Sequence, residues 1–202
     1  MFSCWPRRVT AILVFTLFLI LGPKLALADP VNFTFSGVAD GSIGGNTFSS
    51  SFFEIMIDGD TNNVQPVPGF PNSIRILSGS ASINIAGATS TINTQLSVFA
   101  NNGGFVGLAL PPSTDLILGP GDGVFASYDL TTSIGPITNI ANFEDWGSVN
   151  IDTSGGQLIF DDGPVLTTFT ATVTAVPEPG TAILGLGGLV ILRRKRRAKS
   201  ID

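Results

Sequence analysis

Histidine is absent from this sequence, and cysteine occurs once, at Cys4. Without imidazole and with one thiol, His and Cys metal sites, Ser/His or Cys nucleophile systems and the usual histidine pH switch are excluded. Cys4 precedes the first long apolar run, so a chain cleaved after that run carries no thiol. A domain exported to an oxidising compartment would therefore fold here without disulfides.

Basic residues are nearly absent from the middle of the chain. Between Asp29 and Val176 there are thirteen acidic residues against one base, Arg75, which gives a formal charge of −12. Such a surface repels nucleic acid and anionic lipid, and it suits solubility or the binding of divalent cations. We therefore expect no nucleic-acid partner.

The first 28 residues have the pattern of a cleavable signal peptide. A short basic segment, Arg7-Arg8, precedes an apolar run from Val9 to Leu21, and Ala26-Leu27-Ala28 supplies the small residues that signal peptidase needs. We predict cleavage between Ala28 and Asp29. A twin-arginine signal is the alternative, but the residues after Arg8 fit that motif poorly. A lipoprotein would need its cysteine at the cleavage point.

Residues 29–175 alternate apolar and polar side chains with the period of two that a half-buried strand requires. The clearest runs are Val31–Ser36 and Leu166–Val176. No helical stripe, internal repeat or second domain is evident, and Gly, Asn, Asp and Pro clusters separate about ten short runs. The pattern predicts an all-β domain, an antiparallel β-sandwich with jelly-roll-like topology. The other predicted strands are Phe48–Ile57, Ile74–Leu77, Ser80–Ala86, Ile92–Phe99, Phe105–Leu110, Gly123–Leu130, Val149–Asp152 and Gln157–Phe160.

Residues 176–202 form a tail in three parts: Pro177-Glu178-Pro179, an uncharged run from Thr181 to Leu192, and the cluster Arg193-Arg194-Lys195-Arg196-Arg197. The two prolines hold Glu178 extended and accessible. The uncharged run predicts a short hydrophobic helix, and the cations stop transfer on the cytoplasmic side. Twelve helical residues span about 18 Å of a bilayer core of about 30 Å. A transient anchor meant for processing fits this length, and an ordinary single-span anchor is the alternative.

The tail resembles the PEP-CTERM sorting signal, whose motif is present as Pro177, Glu178 and Pro179. The resemblance implies recognition by an exosortase, an integral-membrane Cys/His/Arg enzyme that cuts near the motif. It also implies passage through the inner membrane to the cell surface or extracellular matrix, where many such proteins accompany polysaccharide. The expected partners are thus signal peptidase, exosortase, the membrane and extracellular polysaccharide. The resemblance is confined to the tail and describes delivery, not the role of the domain.

Asp58, Asp60 and Asn62 place oxygen ligands at alternate positions, which is how a loop begins to wrap calcium. The segment is not an EF-hand, because Asn63 and Gly69 stand where that loop needs Gly and Glu. The alternative is a solvated turn that uses Asp, Gly and Asn for their backbone tolerance. Calcium is the one cofactor that the sequence leaves open.

Glu144-Asp145-Trp146 combines acids with an aromatic ring, so Trp146 is a candidate sugar contact. A glycoside hydrolase would need two carboxylates at a defined separation, and Glu54, Glu144 and Asp145 are the candidates. Glu54 could instead face solvent or pair with Arg75. The sequence favours a non-catalytic structural or adhesive protein, with a carbohydrate- or calcium-binding module as the alternative and a glycoside hydrolase behind it.

Overall fold

The structure of the protein is a computed structural model that describes residues 29–112 and 114–176. These residues belong to one compact unit, Ala28–Pro177. The predicted signal peptide, residues 1–28, and the predicted tail from Pro177 onward lie outside the described residues. Two short 3₁₀ turns, Thr61–Asn63 and Gly123–Ser127, are the only helical elements in the described part of the chain.

The domain consists of β-strands that all pair in antiparallel fashion, so the predicted all-β class and antiparallel sheet are confirmed. Hydrogen bonding joins eleven strands in the order β3-β4-β7-β8-β9-β10-β13-β1-β2-β5-β6, and β12 pairs with both β1 and β11. The strands are β1 Pro30–Ile43, β2 Asn46–Asp60, β3 Gln65–Val67, β4 Phe70–Leu77, β5 Ser80–Ile85, β6 Ala88–Thr91, β7 Ser97–Asn101, β8 Phe105–Leu110, β9 Thr114–Gly121, β10 Ile134–Phe143, β11 Ile151–Thr153, β12 Gly156–Phe160 and β13 Gly163–Val173.

A single hydrophobic core lies on the inner face of this sheet. Strands that are distant in the pairing order meet there: a Cβ built on Gly59 of β2 would lie 2.6 Å from the side chain of Ile76 on β4. The sheet therefore curls until β4 packs over β2, and only glycine allows the close approach. Aromatic rings fill the centre, with the centroids of Phe53 and Phe160 5.1 Å apart.

The chain crosses between the two halves of the sheet at Ser78 and Gly79. These two residues connect β4 to β5, although β4 pairs with β7 and β5 pairs with β2. The Ser78 amide donates to the carbonyl of Leu96, and the Gly79 amide donates to the carbonyl of Asp58, both at 2.8 Å. The crossing thus satisfies its backbone groups and brings Ser78 and Gly79 beside the end of β2.

One predicted strand is wrong, and the predicted strand 92–99 loses its first half. Gly123–Leu130 begins with a 3₁₀ turn, because the Asp122 carboxylate accepts the Val124 amide at 2.9 Å and caps it. The turn directs Phe125 into the core. In the run 92–99, Ile92 makes only an isolated bridge and the strand starts at Ser97.

Four strands have no counterpart in the sequence prediction: β3, β6, β9 and β10. The last two contain Gly119-Pro120 and Gly135-Pro136, which read as chain breakers. In β10 the register shifts between Ile134 and Ile137, so Pro136 sits where the ladder is irregular. A proline lacks the amide that a regular ladder needs, and such an irregularity accommodates it.

Candidate functional site

The predicted calcium ligands lie at one end of the sheet. Asp58 ends the pairing of β2 with β5, and its two carboxylate oxygens accept from Asn32 Nδ2 at 2.9 Å and Ser80 Oγ at 2.6 Å. The carboxylate therefore links β1 and β5 across β2. Both of its oxygens have protein partners, as expected of a structural cross-strand contact.

Asp60 caps the first 3₁₀ turn. Its Oδ1 accepts the amide of Asn62 at 2.8 Å, so this segment forms the Asx-type turn that its Asp and Asn residues also favour. Among residues 29–112 and 114–176, no group of three or more Asp, Glu, His or Cys side chains is arranged to hold a metal. Calcium at Asp58, Asp60 and Asn62 stays a prediction.

An open cavity of about 540 Å³ adjoins these acids. We call it the acidic pocket. It is lined by Asp58, Gly59, Asp60, Asn63, Leu77, Ser78, Gly79, Ser80 and Gln95. Asn62 is not part of the lining, and Asn63 takes its place. Sequence reasoning missed Ser78, Ser80 and Gln95, because they reach the pocket only through the crossing between β4 and β5 and the segment before β7.

Trp146 lies in the core with no exposed surface. Its ring packs edge-on against Phe160 with centroids 4.9 Å apart, and its Nε1 donates to the carbonyl of Leu116 at 2.7 Å. A sugar ring stacks on an exposed aromatic face, so the predicted sugar contact at Trp146 is incompatible with this position. The indole is instead a packing element whose one polar atom is satisfied.

The candidate glycosidase acids do not all come together. Glu54 on β2 is separated from β10 by β1 and β13, a lateral distance of about 14 Å, beyond the about 10 Å that two catalytic carboxylates span. Glu144 and Asp145 follow β10 and lie near Asp115 of β9. Burial raises the pKa of Asp115, and the charges of Glu144 and Asp145 raise it further.

Asp115 is the acid that the sequence analysis missed, since it lies in an unpredicted strand. A carboxyl group with a raised pKa beside other carboxylates resembles the acid-base pairs of glycosidases. The Glu144 carboxylate accepts a hydrogen bond from Asn142, which ties it to the end of β10. Half-burial of Asp115 between β8 and Glu144 accounts for its raised pKa without a substrate.

Arg75, the one basic residue between Asp29 and Val176, does not pair with Glu54. It is 8% exposed on β4, and its Nη1 donates to the carbonyl of Pro112 at 2.7 Å. Its Nε is buried without a hydrogen-bond partner. The pairing suggested from sequence fails because β4 and β2 belong to different halves of the curled sheet, and Glu54 lies on the outer face of β2.

The two ends of the described chain meet beside the acidic pocket. The Val176 amide donates to Asp29 Oδ1 at 2.9 Å, and the Thr174 amide donates to the Pro30 carbonyl at 2.9 Å. In the ladder between β1 and β2, Pro30 lies opposite Asp60. The residue that follows the predicted signal cleavage thus contacts the residue that precedes the predicted sorting motif.

The residues of the predicted sorting signal and of the predicted cleavage site lie outside the described residues. These are Ala28 of the cleavage site, Pro177, Glu178 and Pro179, the segment from Thr181 to Leu192, and Arg193, Arg194, Lys195, Arg196 and Arg197. In the part of the chain that the structure does describe, no helix has the length and apolar character to cross a membrane.

Comparison with known proteins finds no family model that matches the chain. No curated protein and no solved structure matches it either. The functional argument therefore depends on the residues and geometry described above.

Proposed function

We propose that the protein is exported, sorted by an exosortase, and retained at the cell surface or in the extracellular matrix in a structural or adhesive role without catalysis. The proposal rests on the tail, whose motif, uncharged run and basic cluster follow directly on the β-domain. A signal peptide at one end and a sorting tail at the other leave the domain itself as the mature protein.

The structural observation that supports the proposal is the meeting of the two ends of the domain. Because Asp29 binds the Val176 amide, residues 29–176 form a unit closed by its own terminal strands, β1 and β13. Removal of both flanking segments would then leave every strand of the unit intact. This is what a tag that is cut off after delivery requires.

We further propose that the curled sheet is a sandwich with jelly-roll-like topology. The contact of Ile76 on β4 with Gly59 on β2 supports two facing layers. So does the packing of Phe125 against Phe169, with ring centroids 5.6 Å apart. A rigid sandwich without disulfides suits a passive surface component, because its stability does not depend on the redox state of the surroundings.

The sorting proposal is tested in a host that contains an exosortase. Replacing Pro177, Glu178 and Pro179 with alanine should leave export and membrane insertion intact and block cleavage, so that the protein stays in the membrane at its larger mass. Changing the basic cluster 193–197 to glutamine should instead release unprocessed protein, because the short apolar run loses its stop-transfer signal. An alanine variant with the size and distribution of the wild type would leave the tail as a simple anchor.

A second candidate function is a calcium- or carbohydrate-binding module, and the acidic pocket is the observation that favours it. Calorimetry with calcium, with Asp60→Asn as the variant, measures the first property, and glycan-array binding measures the second. Heat of binding that disappears in Asp60→Asn would support calcium. If neither calcium nor any glycan binds, the structural role is favoured.

A further inference from the structure

Four large apolar side chains form one row on the outer face of the sheet. They are Ile140 of β10, Leu166 of β13, Val38 of β1 and Phe52 of β2, which are 62%, 63%, 55% and 52% exposed. Ile140 lies opposite Leu166, and Val38 lies opposite Phe52. Because Thr167 lies opposite Gly37, the next residues, Leu166 and Val38, are also neighbours. We call these four residues the apolar row.

The four residues of the apolar row lie side by side, unlike exposed apolar residues that are scattered singly over a surface. Seven large apolar side chains are exposed in the described part of the chain, and four of them stand side by side on four adjacent strands. Together they expose roughly 400 Å², the size at which an apolar patch on a monomer is commonly functional. In this position the four side chains do not contribute the free energy that burying apolar area gives to folding, and binding to a partner would bury them.

The surroundings of the apolar row are polar but poor in free charge. Along one side run Thr138, Thr168, Ser36 and Glu54, in register with one another. On the other side the Asp40 carboxylate is occupied by the Ser49 hydroxyl at 2.7 Å and by the Ser50 amide. In a domain with a formal charge of −12, this face has the depletion of charge that marks the centre of protein interfaces.

We propose that this face binds the same face of a second copy of the chain. Four strands span about 19 Å laterally. Both neighbours of β13, β10 and β1, pair with its residues 167–171, which are about 17 Å long. Each partner would therefore bury about 320 Å² over this common part, and the total of about 640 Å² suits a weak, transient dimer and not an obligate one.

The order of residues in the row suits a two-fold axis that runs parallel to the strands between β13 and β1. This axis brings Ile140 opposite Phe52 of the second copy and Leu166 opposite Val38 of the second copy. In the neighbouring row, Glu54 meets the Thr138 hydroxyl instead of another carboxylate. An axis along the row would place Glu54 near Asp40 of the second copy, where like charges repel.

The overall charge makes the association salt-dependent in a definite direction. Two acidic domains repel each other, and salt screens that repulsion over a Debye length of about 10 Å at 0.1 M and about 3 Å at 1 M. The dimer should therefore form more readily as ionic strength rises. A cationic partner on this face would show the opposite dependence.

Cysteine cross-linking in the full chain tests the arrangement, because Cys4→Ser leaves a background without thiols. Two differently tagged variants, Phe52→Cys and Ile140→Cys, are produced together and treated with a short bismaleimide. We expect a mixed dimer. Thr172→Cys, exposed on the same face three rows away, should give none when it replaces Phe52→Cys as the partner of Ile140→Cys. The absence of a mixed dimer, an equal yield from Thr172→Cys, or cross-linking of Phe52→Cys only to other proteins would overturn the proposal.

A matched pair of substitutions tests the energetic role of the row. Phe52 and Phe70 are equally exposed, at 52% and 51%, but Phe70 begins β4 and lies off this face. When one chain carries Leu166→Cys and the other Val38→Cys, adding Phe52→Thr to one of them should lower the mixed-dimer yield about tenfold, the effect of losing one aromatic contact. Phe70→Thr should leave it unchanged. Equal effects of the two substitutions, or a yield that falls with salt, would contradict a second copy.

This test is independent of the sorting proposal, because cross-linking does not require the tail to be processed. Circular dichroism of each variant shows whether the sheet is intact. A folded variant that fails to cross-link overturns the dimer and leaves the exosortase proposal untouched.

Discussion

Replacing Trp146 with phenylalanine should destabilise the domain by about 2–3 kcal/mol. The indole is fully buried and contacts Phe143 and Phe160, with centroid distances of 6.3 and 4.9 Å. Phenylalanine loses the hydrogen bond to the Leu116 carbonyl, worth about 1 kcal/mol. That carbonyl also accepts the Glu144 amide at 3.0 Å, so it keeps one partner. The void left by the smaller ring adds about 1–2 kcal/mol.

Thermal unfolding followed by circular dichroism measures this loss on the unit Ala28–Pro177. For a domain of this size, about 2–4 °C of melting temperature corresponds to each kcal/mol, so the variant should melt about 4–12 °C lower. Phe70→Leu, at an exposed aromatic position, should change stability by less than about 0.5 kcal/mol. Since the only other tryptophan is Trp5, the fluorescence of the unit reports Trp146 alone. A Trp146→Phe variant with wild-type melting, or wild-type emission typical of exposed indole, would refute this packing role.

Four further predictions concern single carboxylates. Burial and neighbouring charges raise the pKa of Asp115, so the folded state loses stability as pH rises through that pKa, and Asp115→Asn should raise the melting temperature at pH 7 and not at pH 3. The hydrogen bonds from Ser50 and Ser49 lower the pKa of Asp40, so Asp40→Asn should reduce stability at pH 7, and this effect should fade as pH falls through the lowered pKa. Equal pH profiles for the two variants would contradict both assignments. Asp58→Ala breaks two cross-strand hydrogen bonds and should cost about 1–2 kcal/mol in denaturant titrations with or without chelator, whereas a chelator-dependent loss would favour calcium. Asp29→Ala removes the acceptor of the Val176 amide and should speed limited proteolysis near residue 176; an unchanged cleavage rate would show that this bond does not hold the chain end.

The strands that the sequence predicts best are those with one face buried and the other in water. In β1 the inward positions Val31, Phe33 and Phe35 alternate with polar outward ones, and β13 repeats the pattern. Because such alternation follows directly from which side chains are buried, a short stretch of sequence is enough to predict these strands. Strands β9 and β10 were missed because Gly-Pro pairs interrupt them, and pairing with their neighbours overrides that local signal.

Residue type alone could not place Trp146. An aromatic ring next to two acids occurs in cores as well as in sugar sites, and here Phe160 and the Leu116 carbonyl, both distant in sequence, decide between them. The acidic pocket shows the same limit, since Gln95 and Ser80 join Asp58 only after the chain has crossed the sheet.

The apolar row is invisible in the sequence for a related reason. Val38, Phe52, Ile140 and Leu166 are single apolar residues at outward positions of their strands, where an exposed side chain is unremarkable. Only the register of four strands, which pairs β1 with β2 and β13 with β10, brings them into one line. Register depends on the whole fold, so local patterns do not give it.

The central claim, that the chain is trimmed at both ends after export, is tested most directly by the intact mass of the protein recovered from the surface of exosortase-containing cells. The account predicts a chain that begins at Asp29 and ends near Pro177, Glu178 and Pro179, without the segment from Thr181 onward. Recovery of a surface protein whose mass includes Arg193 to Asp202, in cells with an active exosortase, would contradict it.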